Sequence, residues 1–273
     1  ASLVQILFKM GEMVTATHSG MVRSHNEDSI GADAAIGLAV LADGMGGYNA
    51  GEVASGIAVA MIRAEMKKAL TSVNGELDVA TAERLVNENA VRANSAIYQA
   101  AQSQSQYAGM GTTLVVALWH DNTLIVGHVG DSRLYRFRAG KLELVTRDHS
   151  LLQEQIDSGL ITKEQERHSQ NKNLVTRAVG IDPEVEPEVH RYPVQAGDIY
   201  LLCSDGLNDM VPDEDMELTL SSLQANLPLA AEQLVQQAND NGGRDNVSVI
   251  LVRVLKSFPA RSGFVDKLKS WFR

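Results

Sequence analysis

Four aspartates, Asp43, Asp131, Asp205 and Asp245, each stand at the junction of a strongly apolar run and a glycine-containing loop. The runs are Leu38-Ala39-Val40-Leu41-Ala42, residues 123–129, Ile199-Tyr200-Leu201-Leu202-Cys203 and residues 247–254. Short runs of this kind read as buried strands, so each aspartate sits where a rigid strand meets a loop, a good place to hold a binding group. One such aspartate is an ordinary cap or turn residue. Four suggest convergence, and carboxylates that converge repel one another unless a cation neutralises them. In Asp43-Gly44-Met45-Gly46-Gly47 the three glycines let the backbone turn sharply and leave carbonyl oxygens free to coordinate. Hard oxygen ligands, with no cysteine or histidine cluster beside them, point to Mg²⁺ or Mn²⁺. A bridging carboxylate can hold two such ions about 4 Å apart, an arrangement that clamps and hydrolyses phosphate esters.

The chain has 273 residues, of which 44% are hydrophobic, enough to bury a substantial core in one domain. A formal net charge of -10 argues against a nucleic-acid-binding surface, which needs clustered Lys and Arg. Cys203 stands alone, which excludes an internal disulfide framework and a Cys-rich zinc site and fits a reducing compartment, the cytosol. No run of about 18 apolar residues is present to suggest a transmembrane helix. Residues 3–8 are short for a signal peptide and lack a basic leader. They read either as an edge strand or, with the rest of residues 1–12, as a leader before a domain spanning 13–255.

Along the chain, residues 14–19 read as a short strand leading into Arg23-Ser24-His25-Asn26-Glu27-Asp28. If that segment is extended, Glu27 and Asp28 point to opposite faces, so at most one reaches a given site directly. The guanidinium of Arg23 suits a phosphate dianion. A solvated charged turn is the alternative for this stretch. Residues 50–70 and 77–102 carry apolar positions at helical spacing, and residues 111–129 and 134–146 read as hairpins. Helices followed by consecutive hairpins imply an α+β layered domain with largely antiparallel sheet. Residues 150–173 turn polar and read as a surface flap. A helix is expected over residues 228–239, with proline in its first turn.

Taken together, Arg23 with Asn26-Glu27-Asp28, Asp43-Gly44-Met45-Gly46-Gly47, Gly111-Thr112-Thr113, Gly130-Asp131-Ser132-Arg133, Asp148-His149-Ser150, Thr176-Arg177-Ala178-Val179-Gly180, Ser204-Asp205-Gly206-Leu207 and Gly243-Arg244-Asp245-Asn246 resemble the ordered motif set of the metal-dependent protein phosphatases, type 2C, in their bacterial branch. The resemblance runs from about residue 14 to 254. It implies a four-layer α-β-β-α sandwich of two antiparallel sheets with a metal site at one end, and hydrolysis of phosphoserine and phosphothreonine in proteins by a metal-activated water. It further implies that Asp43 bridges two Mn²⁺ or Mg²⁺ ions and Gly44 contributes a backbone carbonyl. Asp205 and Asp245 complete the first ion. Glu27 and Asp28 serve the second, largely through water. Arg23 would bind phosphate, and Asp131 would ligate a third, weaker ion. Phosphorylated proteins are then the substrates and a Ser/Thr kinase the natural partner, for a monomeric cytoplasmic enzyme.

Met45 stands where eukaryotic relatives place a histidine that is a candidate proton donor; a thioether cannot donate, so the acid role is unassigned, with the loop residue His25 the nearest alternative. Asp148-His149-Ser150 is not a hydrolytic triad, because three consecutive residues do not fold into that geometry and no Gly-x-Ser-x-Gly elbow is present. Cys203 in its apolar strand reads as an inert thiol. Two rival functions are a phosphoprotein-binding sensor module, against which every ligand position keeps its carboxylate, and a metal-dependent phosphodiesterase, which should show a basic track. In residues 256–273, Phe264, Val265, Leu268, Trp271 and Phe272 share a helical face beside Lys267, Lys269 and Arg273, which reads either as an amphipathic docking segment for a membrane surface or protein, or as packing on its own domain.

Overall fold

The computed structural model describes residues 2–8, 10–72, 77–169 and 174–260. Two six-stranded sheets stack face to face with helices on both outer sides. The first sheet runs, in spatial order, β1 (Ser2–Phe8), β2 (Gly11–His18), β12 (Val247–Val254), β11 (Ile199–Cys203), β8 (Arg133–Arg138) and β9 (Lys141–Leu144). The second runs β10 (Glu188–Pro193), β7 (Thr123–Val129), β6 (Leu114–His120), β4 (Leu38–Met45) and β3 (Asp28–Asp33), with the short β5 (Gly111–Thr112) paired to the end of β4. All named pairings are antiparallel.

The central strands are apolar on both sides because each side meets a different layer. In β4, Leu38, Val40 and Ala42 pack under α1 (Ala50–Ser72) and α2 (Val79–Ser103), whereas Ala39 and Leu41 face the other sheet. In β12, Val247, Val249 and Leu251 pack under α5 (Asp213–Leu223) and α6 (Leu227–Asp240), whereas Ile250, Val252 and Val254 face inward. This two-residue alternation between buried layers explains the continuous apolar runs in the sequence. Helix starts follow local chemistry: Asp78 accepts from the Thr81 amide at 2.7 Å to cap α2, and Asn226 caps α6 with Pro228 in the first turn.

Residues 2–8 pair along their whole length with β2, from Ser2 opposite Thr17 to Phe8 opposite Gly11, so this stretch of the expected leader is the edge strand of the first sheet. The polar flap begins with α3 (Leu151–Asp157), capped by Ser150 and anchored by the buried Leu152. Its return path is tied down by bridges between Ser150 and Val175 and between Thr112 and Val179. The flap's last residues, 170–173, and the tail from residue 261 on lie outside the described residues, and so does the amphipathic face proposed for that tail. The four-residue helix α4 (Asp205–Asn208) follows β11, and two short 3-10 turns cover Ser105–Tyr107 and Gln165–His168.

Candidate active site

The inward-facing rows of the central strands are apolar for most of their length and turn polar at one end. The row through Ala39 and Leu41 of β4 continues to Asp43; the row through Ile30 and Ala32 of β3 begins at Asp28. Antiparallel register places Asp28 directly opposite Asp43, so their side chains project into the same space between the sheets. From the other sheet, the row through Tyr200 and Leu202 extends to Ser204, and that through Ile250 and Val252 reaches back to Ser248. Both hydroxyls donate to Asp28 Oδ2, Ser204 at 2.8 Å and Ser248 at 2.6 Å. A single carboxylate thus ties the two sheets together at this end.

Backbone geometry fixes the loop after β4. The Asp43 amide donates to Thr113 Oγ1 at 3.0 Å, and the Asp43 carbonyl accepts from the Thr113 amide at 2.9 Å and Thr112 Oγ1 at 3.0 Å. The Gly44 amide donates to the Glu27 carbonyl at 3.1 Å. A Cβ on Gly44 would stand 1.9 Å from the Gly51 carbonyl oxygen, so only glycine lets the start of α1 pack against this strand. Asn246 joins the remaining loops: its Oδ1 accepts from the Glu27 amide at 2.9 Å while its Nδ2 donates to the carbonyls of Ser19 and His25 at 3.0 and 2.7 Å. Arg23 lies on the exposed rim, its guanidinium donating to Asp245 Oδ2 at 2.9 Å.

The expected residues therefore gather. Burial, followed by the charges of Asp28, Asp205, Asp131 and Asp245, pushes the Asp43 carboxyl well above the usual carboxylate range. Burial likewise raises Asp205, with Asp131, Asp209 and Asp245 adding to it. Asp28 is pushed up to about 6, by burial against the opposing hydroxyl bonds of Ser248 and Ser204. Asp131 reaches about 7, by burial and then by Asp148 and Asp209. Glu27 is half-buried at the rim and is raised by burial, with Arg23 opposing. The alternation expected of Glu27 and Asp28 holds in that Asp28 is buried in the cluster while Glu27 stands toward the loop of Gly44 and Gly51. His25 is exposed, and Met45 has no proton to give.

Sequence reasoning gave no role to Ser204, Ser248 or Asn246, although all three fall in or beside quoted motifs or strands. Ser248 carried a signal, a lone hydroxyl in the apolar run Val247-Ser248-Val249, on the inward row. Sequence reasoning also did not find the pair His128 and His149, which stack at 4.7 Å beside Glu188, assembled from residues 128, 149 and 188 by the fold rather than by any sequence spacing.

Whether the site fits a cation is decided by atoms without partners. Among the described residues, Asp28 Oδ1 and Asp205 Oδ1 are buried with no hydrogen-bond donor, a state that costs roughly 1–3 kcal/mol per group, more when charged. Five mutually repelling carboxylates and two unmatched oxygens fit hard, oxygen-seeking divalent ions.

A sandwich whose inner layer opens into such a carboxylate cluster, with an arginine at its rim, defines a class: hydrolases that act on phosphate esters with divalent cations. Residues 18–246 match the protein phosphatase 2C family, and the chain belongs to that family. It is 36% identical over 239 residues to the serine/threonine phosphatase stp of Listeria innocua, covering 86% of this chain and 93% of that protein. It is 41% identical over 241 residues to the serine/threonine protein phosphatase PstP of Mycobacterium tuberculosis, covering 86% of this chain and 43% of that one. The fold is similar to Stp1 of Staphylococcus aureus, with a TM-score of 0.83 at 33% identity over 92% of this chain and 97% of that one. It is also similar to a PstP catalytic domain in complex with two manganese ions, with a TM-score of 0.79 at 35% identity over 93% and 100% of the two chains. The chain is a protein-serine/threonine phosphatase of the bacterial kind, and its substrates are phosphoproteins. Among the described residues no helix is long and apolar enough to cross a membrane.

Proposed function

We propose that this chain removes phosphate from phosphoserine and phosphothreonine with two Mn²⁺ or Mg²⁺ ions, for which Asp43 would be a ligand common to both, with the Gly44 carbonyl, Asp205 and Asp245 holding the first and Glu27 and Asp28, largely through water, serving the second. Asp131 is the residue for a third, weaker ion. When bound, the ions supply Lewis acidity: a nucleophile at neutral pH and neutral charge around the phosphoryl oxygens. The protein's part is to hold those groups rigid. Asp28 is fixed by Ser204 and Ser248, Asp43 by Thr112 and Thr113, and Glu27 by Asn246. Arg23 presents its guanidinium at the exposed rim, where it can exchange Asp245 for a phosphate and stabilise charge on it. Met45 donates no proton, so protonation of the departing alkoxide falls to another group or to water.

The observation that carries this reading is the pair of orphaned oxygens on Asp28 and Asp205 in a cluster of mutually repelling carboxylates. The partner called for is a Ser/Thr kinase in the same compartment, the cytosol, and the enzyme works as a monomer. Assays of a phosphothreonine peptide, p-nitrophenyl phosphate and single-stranded DNA, each with Mn²⁺ and with chelator, test the proposal. Chelator-sensitive hydrolysis of the first two, with DNA intact, is expected. Cleavage of DNA, or peptide hydrolysis unaffected by chelator, would overturn it.

A further inference from the structure

Beside the carboxylate cluster lies the group formed by His128, His149 and Glu188, with His190 on its outer side. Two imidazoles and a carboxylate this close look like a transition-metal site, but the hydrogen bonds decide otherwise. The Gly130 amide donates to His149 Nδ1 at 3.1 Å. An N–H can be met only by a lone pair, so Nδ1 is unprotonated and neutral His149 carries its proton on Nε2. That Nε2–H donates to Glu188 Oε2 at 3.1 Å, and the nitrogen facing the cluster has no lone pair to offer a metal. His128 is likewise engaged, its Nε2 bonded to the Arg147 carbonyl at 2.8 Å and its ring stacked on His149. Glu188 also accepts from His190 Nε2 at 2.8 Å.

What the tautomer does hold is Gly130. The His149 ring accepts the Gly130 amide, and the His149 amide donates back to the Gly130 carbonyl at 2.9 Å, so one residue grips both sides of one glycine. Gly130 has φ of +101°, and a Cβ there would stand 2.9 Å from Thr113, so it cannot relax by substitution or by a shift toward Thr113. The next residue is Asp131. On the other side of His149, Asp148 is held by Arg133 through Nε at 3.0 Å and Nη2 at 2.7 Å, and the His149 carbonyl accepts the Thr176 amide at 2.9 Å, where the flap returns.

We infer that His149, locked as its Nε2–H tautomer between Glu188 and the Gly130 amide, is a positioning residue that sets the Gly130–Asp131 turn and so the ion-binding carboxylate of Asp131. This rests on the proposed role of Asp131. It assigns a purpose to the Asp148-His149-Ser150 segment that its rejected triad reading left empty. Outer residues of this kind are worth about 10–100-fold in metal affinity or activity.

The test compares His149→Phe, which removes the acceptor, with His149→Asn, whose Oδ1 can take the place of Nδ1, in the full chain. Expected for His149→Phe is a loss in kcat of about 10–100-fold with KM for a phosphothreonine peptide little changed. A higher Mn²⁺ concentration should be needed for half activity, and exchange of the Gly130 amide should be fast. His149→Asn should recover most of the kcat and the slow exchange despite a similar thermal midpoint to His149→Phe. Equal impairment of the two variants, or wild-type kcat in His149→Phe, would reduce His149 to packing. Asp131→Ala runs beside them: if it keeps wild-type kcat, the role of Asp131 is wrong, and the Gly130 amide still decides the clamp, since fast exchange in the wild type would overturn it.

Discussion

Asp28 and His128 occupy matching places in the sandwich. Each ends an inward-facing row, β3 through Ile30 and Ala32, β7 through Leu124 and Val126, and each is almost wholly buried, at 8% and 3% exposure. Their surroundings differ in kind. Around Asp28, beyond the hydroxyls of Ser204 and Ser248, stand other carboxylates; two oxygens lack donors, and burial raises the carboxyls of Asp28, Asp43, Asp131 and Asp205. Around His128 the carboxylate is Glu188, which takes N–H groups from His149 and His190, and these bonds hold its pKa below the usual range against the opposing pull of burial. One region is incomplete without cations; the other is satisfied from within. A fold can thus end the same apolar layer in two ways, and the count of unmatched donors and acceptors tells which end is for a ligand.

The contrast is broken most severely at Asp43. Asp43→Asn should lower kcat/KM on a phosphothreonine peptide by roughly a thousandfold, the several kcal/mol that bound cations supply, with far-UV circular dichroism unchanged. Activity within a few-fold of wild type would mean the carboxylates are a structural cluster. Next in size is Asp131→Ala, which should keep the fold and the two core ions yet lose kcat by about 10–100-fold with less change in KM; steady-state kinetics at saturating Mn²⁺ with a metal count decides it. Within the imidazole region, Glu188→Ala strips the acceptor from two histidines and should cost about 1.5–3 kcal/mol in chemical denaturation, with the two core ions still bound. Loss of those ions in that variant would show the regions are not separate.

A pH scan sharpens the same distinction. Burial holds the His128 pKa below the value of 6.5 for a free histidine, with His149 adding to the effect and the Arg147 carbonyl and Glu188 opposing. Above that value both folded and unfolded states are neutral there, and its contribution to stability is complete. As pH falls through 6.5 the unfolded chain takes up a proton that the folded state resists, so stability drops toward the lower folded pKa. The thermal midpoint of the wild type should therefore fall between pH 7.5 and 5.5 more than that of His128→Gln; parallel slopes would rule His128 out. The smallest effect is at Tyr48, fully exposed with φ of 48° in the loop after Asp43. Tyr48→Gly should raise stability by up to about 1 kcal/mol by relieving that backbone, without moving the Mn²⁺ affinity.

How much of this was legible in the sequence depends on which layer a residue faces. Helices α1, α2 and α6 and the strands β4, β11 and β12 announce themselves because burial on one stripe or on both faces leaves a strong apolar pattern. Strand β3, Asp-Ser-Ile-Gly-Ala-Asp, hides because its first residue is a carboxylate of the candidate site and its glycine makes room for Arg63, whose Cδ a Cβ would approach to 2.4 Å. Strand β10 hides as a charged, partly exposed edge that ends in proline. Helix α5 opens with three acids, and only Met216, Thr219 and Leu220 are buried. The aspartates were readable because each interrupts an apolar run. The histidine cluster was not, because its members come from β7, the flap's base and β10, and only the register of β7 with β10, Glu188 opposite His128, brings them together.

The most direct test of the central claim is a calorimetric Mn²⁺ titration of the wild type, Asp43→Asn and Asp245→Asn. The account predicts two core ions in the wild type, the loss of both in Asp43→Asn because a shared ligand is gone, and the weakening of only one in Asp245→Asn. Two ions bound by Asp43→Asn with wild-type affinity would contradict it.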